Sequence, residues 1–146
     1  MNNQVFHFMR RNICLSWIAL LGLMGCSSPY SETAYEMATT TKANTMTLMA
    51  KATEPYSRHQ DKAAELLQEA RVAYEYNLQR PNNEESTRQW AIMLDPDENM
   101  LAGLISKWKK DGTLKPFFLK EATDEIGDGF DTISGLESGK TKPKSE

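Results

Sequence analysis

A run of twelve mostly apolar residues, 13–24, constrains this chain more than any other feature. As a helix it reaches only about 18 Å, against a hydrocarbon core of roughly 30 Å, so it is too short to span a membrane. Arg10 and Arg11 precede it and the polar pair Ser27-Ser28 follows it, the order of a signal peptide's charged and apolar regions. Removal of residues 1–25 leaves 121 of the 146, room for one modest domain. The same cut settles the cysteine chemistry. Cys14 lies inside the run and Cys26 two residues past its end, so a single cysteine remains, no internal disulfide is available and the fold has to hold by packing.

The run ends in Leu23-Met24-Gly25-Cys26. This resembles the lipobox of bacterial lipoproteins, with Leu at −3, a small residue at −1 and Cys at +1. Met24 at −2 departs from the usual Ala or Ser. The resemblance covers residues 1–29 and implies that a diacylglyceryl transferase modifies the Cys26 sulfur, that a peptidase cuts before it, and that the freed amine is acylated. A cysteine is required because its thiolate is the nucleophile that accepts the lipid. Within that class Ser27 at +2 implies an outer-membrane anchor, with the domain facing the periplasm, rather than retention at the inner membrane.

Charge then limits the partners. All 20 acidic residues but only 15 of the 17 basic ones follow position 25, a formal charge of −5 for the remainder. Residues 57–137 hold 10 basic against 16 acidic residues, or −6. Phosphate backbones need clustered Lys and Arg, so a nucleic-acid partner is not expected. Anionic head groups would repel the domain as well.

Helical spacing runs through the rest. Ser57-Arg58-His59-Gln60 has the pattern of a capping box, followed by Ala63, Leu67, Ala70, Tyr74 and Leu78 until Arg80-Pro81. A second box, Ser86-Thr87-Arg88-Gln89, opens a helix carrying Trp90, Met93 and Leu94. Asp95-Pro96-Asp97-Glu98 predicts a third start, with Met100, Leu101, Leu104, Ile105 and Trp108 on one stripe ended by Asp111-Gly112. A last helix from Lys115-Pro116 carries Phe118, Ala122, Ile126, Phe130, Ile133 and Leu136, weakened at Gly127 and Gly129. Strand alternation is absent, and the fold class is all-α: a small bundle of four to five short helices. The organisation is a signal peptide at 1–25, a lipidated tether at 26–30, a helix or stalk at 31–55, a helical domain at 56–137 and a disordered basic tail at 138–146. In 31–55, Ala34, Met37, Ala38, Thr41, Thr45, Leu48, Met49 and Ala52 make a stripe that Thr39-Thr40-Thr41 weakens.

Catalytic and metal chemistry find little to stand on. His59 is the one histidine after the leader, without a thiol or a Glu three residues before it, and reads as a surface side chain. Asp95, Asp97 and Asn99 begin like an EF-hand loop, but Met100 stands where its Gly belongs and Ser106 where its Glu belongs. The segment 124–135 fails in the same way at Ile126 and Gly135. No cofactor or metal is expected. The carboxylates Glu84 with Glu85, Glu121 with Glu125, and Asp128 with Asp131 read as solvated helix faces; a wall-cleaving enzyme would need one of them in an apolar pocket.

What stands out is aromatic. Phe117 and Phe118 are adjacent, so on a helix they point about 100° apart, and both are buried only if the helix is covered on two sides; otherwise one lines a groove. Trp108 completes a core stripe, yet it sits among Lys107, Lys109 and Lys110. Phe117, Phe118 and Trp108 are thus the candidate partner-binding residues of a non-enzymatic interaction module in the envelope. In size, anchor and helix content the chain is similar to helical pilotins, outer-membrane lipoproteins that escort a secretin, and this implies an amphipathic helical partner. The alternative is a wall-acting enzyme with a buried carboxylate. The lipobox reading is tested at its cysteine: Cys26→Ala should abolish metabolic lipid labelling and leave an uncleaved or differently cut precursor, whereas unchanged mass and unchanged membrane fractionation would refute it.

Overall fold

The computed structural model describes residues 30–140. Leu23, Met24, Gly25, Cys26 and the rest of the expected leader lie outside the described residues, as does 141–146. The described part is all-helical, with no strand: α1 Glu32–Met49, α2 Gln60–Leu78, α3 Glu84–Leu94, α4 Leu101–Asp111 and α5 Pro116–Glu137, plus a 3-10 turn at Tyr56–Arg58. Helices α1, α2, α3 and α5 alternate in direction and close a ring, each packed on the next and α5 on α1. Helix α4 caps one end of that ring against α2, α3 and the 3-10 turn.

Residues 31–55 therefore contribute a wall of the bundle rather than a separate stalk. Ser31 caps α1, its Oγ accepting from the Ala34 N–H at 3.2 Å. The threonines fit a helix because their hydroxyls donate to its own carbonyls: Thr39 to Tyr35, Thr45 to Thr41 and Thr47 to Ala43. The expected stripe is the buried one, Ala34, Ala38, Thr41, Thr45, Leu48 and Met49.

Three helix starts differ from expectation, each for a tertiary reason. Ser57 lies in the 3-10 turn, which the Tyr56 N–H pins to the Gly112 carbonyl at 2.8 Å, so α2 starts at Gln60. Helix α3 starts two residues before Ser86, whose hydroxyl is turned to Glu137 instead of capping. Asp95 caps only a local turn, accepting from the Asp97 N–H at 2.9 Å, and α4 begins at Leu101. That turn folds back on α4 so closely that a Cβ on Gly103 would lie 1.8 Å from the Glu98 carbonyl oxygen. Only glycine admits it.

The core faces also shift by a residue where a helix has two neighbours. On α2 the buried set is Ala63, Leu66, Ala70, Ala73 and Asn77, while Leu67 and Tyr74 are half-buried and Leu78 is exposed. On α5 Leu119 takes the place expected for Phe118. At the centre Trp90 meets Phe130 edge to face at 5.8 Å. The thioether methyls of Met93 and Met100 fill the space beside Gly129, so that residue costs helix propensity and serves packing.

The end of the ring opposite α4 is closed by buried polar groups. Glu137, on the last turn of α5, has no solvent-exposed side chain; it accepts from the Arg80 guanidinium and from the Ser86 hydroxyl. Asn77 donates to the Ala73 carbonyl at 2.8 Å and accepts from Asn83 at 2.7 Å and Arg80 at 3.2 Å. This network joins α2, α3 and α5, and Tyr30 enters the bundle at the same end, where Ser31 meets the Tyr76 hydroxyl. Removing one partner of a buried pair strands a charge, so Arg80→Met should cost about 3–5 kcal/mol in urea unfolding. Adding Glu137→Leu should recover part of that loss; additive losses would show that the two side chains act independently.

Candidate functional site

The end carrying α4 is built around Trp108. Its indole is wholly buried, donates to the Glu54 carbonyl at 3.0 Å, stands edge-on to Tyr56 at 5.4 Å and lies beside His59 at 5.6 Å. The His59 Nε2–H donates to the Glu54 carboxylate at 3.0 Å, and that bond, more than the nearby charges of His59, Lys51 and Arg58, holds the Glu54 carboxyl below its ordinary value. Leu114 completes the closure through its N–H to the Ala52 carbonyl. Trp108 is therefore a core residue, not the partner contact that its lysine neighbours suggested, and His59 is a half-buried brace, not a free surface side chain.

The two phenylalanines face outward together. Phe117 is 76% exposed and Phe118 is 37% exposed, while Leu119 beside them goes into the core. Pro116 starts α5 at the same point, so its first turn presents both rings at the rim of the bundle. The Lys107 ammonium lies 5.4 Å from the Phe118 ring centre and donates to Asp111 at 2.7 Å, which holds the Asp111 carboxyl below its ordinary value.

Beside Phe118 runs a groove of about 320 Å³ between the 96–99 turn, α4 and α5. Its apolar lining is Pro96, Leu104, Phe118 and Ala122; its polar lining includes Asp97, Glu98, Glu121 and Glu125. The expected pair Glu121 and Glu125 thus shares one wall, one helical turn apart, as a solvated face would. A second groove, about 350 Å³, lies between α1 and α2 and is lined by Asn44, Leu48, Lys51, Lys62, Leu66 and Glu69. Glu69 accepts from Asn44 there at 2.8 Å, and its other oxygen has no partner. This groove has no signature in the sequence, because its residues come from the flanks of two stripes.

The other expected carboxylates stay at the surface. Glu84 is exposed, Glu85 holds Arg88 and Gln89, Asp131 accepts from Lys42 and Asp128 is exposed. Among the described residues the buried acid is Glu137, absent from the expected set, and it lines neither groove. Among the described residues no group of three or more His, Cys, Asp or Glu side chains is placed to hold a metal ion. No helix among them is long and apolar enough to cross a membrane. Comparisons with protein-family models, with curated proteins and with solved structures find no match to this chain.

The two kinds of aromatic respond oppositely to truncation. Trp108→Ala removes a filled core position and should cost about 3–5 kcal/mol. Phe117→Ala should stay within about 0.5 kcal/mol of the parent in thermal melts followed by circular dichroism. A large loss at Phe117 would show that the exposed ring is part of the fold.

Proposed function

We propose that this chain is a bacterial envelope lipoprotein, lipidated on Cys26 and held at the outer membrane, whose periplasmic helical bundle is a non-enzymatic protein-interaction module. One observation carries the reading of the domain: Phe118 stands exposed on a groove at the end of the bundle opposite Tyr30, with the more exposed Phe117 next to it in the chain. Solvent-exposed Phe side chains contribute little to stability, and an adjacent pair of them, one on a groove, is what an interface offers before its partner arrives. The lengths agree with a presented site. Helix α1 has 18 residues, about 27 Å of rise, which sets the groove that far from a tether leaving at Tyr30.

A narrower form of this reading is a pilotin-like escort, in which the occupant is the helical tail of an envelope complex. The wall-acting enzyme would need an acid set in an apolar pocket; Glu137 is closed off by Arg80 and Ser86, Glu121 and Glu125 are exposed, and Glu69 on the other groove is held by Asn44. The interaction reading is tested by crosslinking in intact cells and recovery of the full chain in a non-ionic detergent. A specific crosslinked protein should be recovered with the parent and lost with Phe117→Ala/Phe118→Ala at unchanged helical circular dichroism. Equal recovery with the variant would remove the groove rim from the site, and peptidoglycan hydrolysis by the purified chain would overturn the reading.

A further inference from the structure

Resting on that reading, we propose that the groove beside Phe118 takes a basic amphipathic helix of a partner protein, an apolar side chain seated on Leu104 and Phe118 and its cations facing the acidic walls. The charge balance of the groove supports this choice. Asp97, Glu98, Glu121 and Glu125 converge on it from both sides, and none of the four carboxylates accepts a hydrogen bond or forms an ion pair with a described residue. Some surface carboxylates are paired, Asp111 with Lys107, Asp124 with Lys120, Asp131 with Lys42 and Glu65 with Lys62, and others such as Glu32, Glu36 and Asp61 stand alone. What sets these four apart is that they converge on one apolar floor. The one lysine lining the groove, Lys107, is engaged with Asp111 and Phe118. An apolar floor between unmatched anions favours an occupant with an apolar face and positive flanks, and rejects an acidic one.

Among the described residues the cation beyond the far end of α5 does not serve: Lys140 follows a helix of 22 residues, about 33 Å of rise. A second copy would bring the same negative surface. Since the described residues include no strand, no sheet edge is offered for strand addition, and a helix laid in the groove is the mode that remains for a segment of this kind.

The probe is a fluorescein-labelled synthetic helix with Leu on one face and Lys on its flanks, beside a twin in which every Lys is Glu. Anisotropy is read against the full chain in non-ionic detergent, with binding to empty micelles subtracted. The basic peptide should bind saturably, lose affinity as salt rises, and bind about tenfold more tightly than its acidic twin. Glu121→Lys/Glu125→Lys should weaken it by about tenfold at unchanged circular dichroism, and Phe118→Ala should weaken it independently of salt. Asp97→Asn/Glu98→Gln, which removes charge without adding any, should weaken it less. Glu32→Lys/Glu36→Lys, at the far end of α1, should leave it unchanged. Equal binding of both peptides, equal loss in the far-end control, no saturable binding, or occupation of the groove by a second copy in sedimentation would each overturn the inference. A crosslinked partner lost on Phe117→Ala/Phe118→Ala, with no binding of the basic peptide, would leave the interaction module standing and discard its basic partner.

Discussion

The buried Trp108 indole fixes the position of α4, and the candidate binding face depends on α4. It reaches Glu54 on the connection between α1 and α2, while its own helix leads through Gly112 into α5. Gly112, at a positive φ of 80°, ends α4 with its N–H on the Trp108 carbonyl and accepts from Tyr56. Two connections distant in sequence are thereby held as one layer across the end of the bundle. Without that layer Leu104 and Lys107 would have no fixed relation to Phe118, and no groove would form between them.

The two ends of the bundle use opposite chemistry. At the α4 end aromatic faces and backbone hydrogen bonds close the core and leave two phenylalanines outside. At the other end a buried Glu137 with its Arg80, Ser86, Asn77 and Asn83 neighbours joins α2, α3 and α5. Such a network stabilises less than apolar packing of equal volume, but it penalises any arrangement that leaves one member unpaired. In a bundle of short helices without a disulfide, that penalty selects one register. Asn82, the one non-glycine at positive φ among the described residues, makes the tight turn between α2 and α3 that brings Asn83 under Asn77.

What the sequence made legible followed from local periodicity. The class, the five helical segments, the stripe of α1 and the start of α5 at Pro116 are visible because a 3.6-residue repeat and a proline at the first position act within one segment. The three helix starts were misplaced because Ser57, Ser86 and Asp95 have capping chemistry that distant partners redirect: Gly112 holds the Ser57 turn, Glu137 takes the Ser86 hydroxyl, and the turn at Asp95 packs back on Gly103. The candidate site was half legible. Adjacent phenylalanines imply either a helix covered on two sides or a ring that looks outward, whereas the burial of Trp108 among lysines and the exposure of both Phe117 and Phe118 depend on where α4 crosses the bundle.

Gly103 shows how the same contact makes both the fold's exception and the groove's wall. A glycine in the first turn of a helix costs stability, about 1 kcal/mol relative to alanine. Here it lets the Glu98 carbonyl approach α4, and the turn that carries Asp97 and Glu98 is brought over Leu104 opposite Glu121 and Glu125. A side chain at position 103 would push that turn outward and separate the two acidic walls. The negative groove is therefore set by backbone geometry, not by the acidic composition of the domain alone. Its like charges repel one another across the apolar floor, and a cationic occupant would relieve that repulsion while covering Phe118.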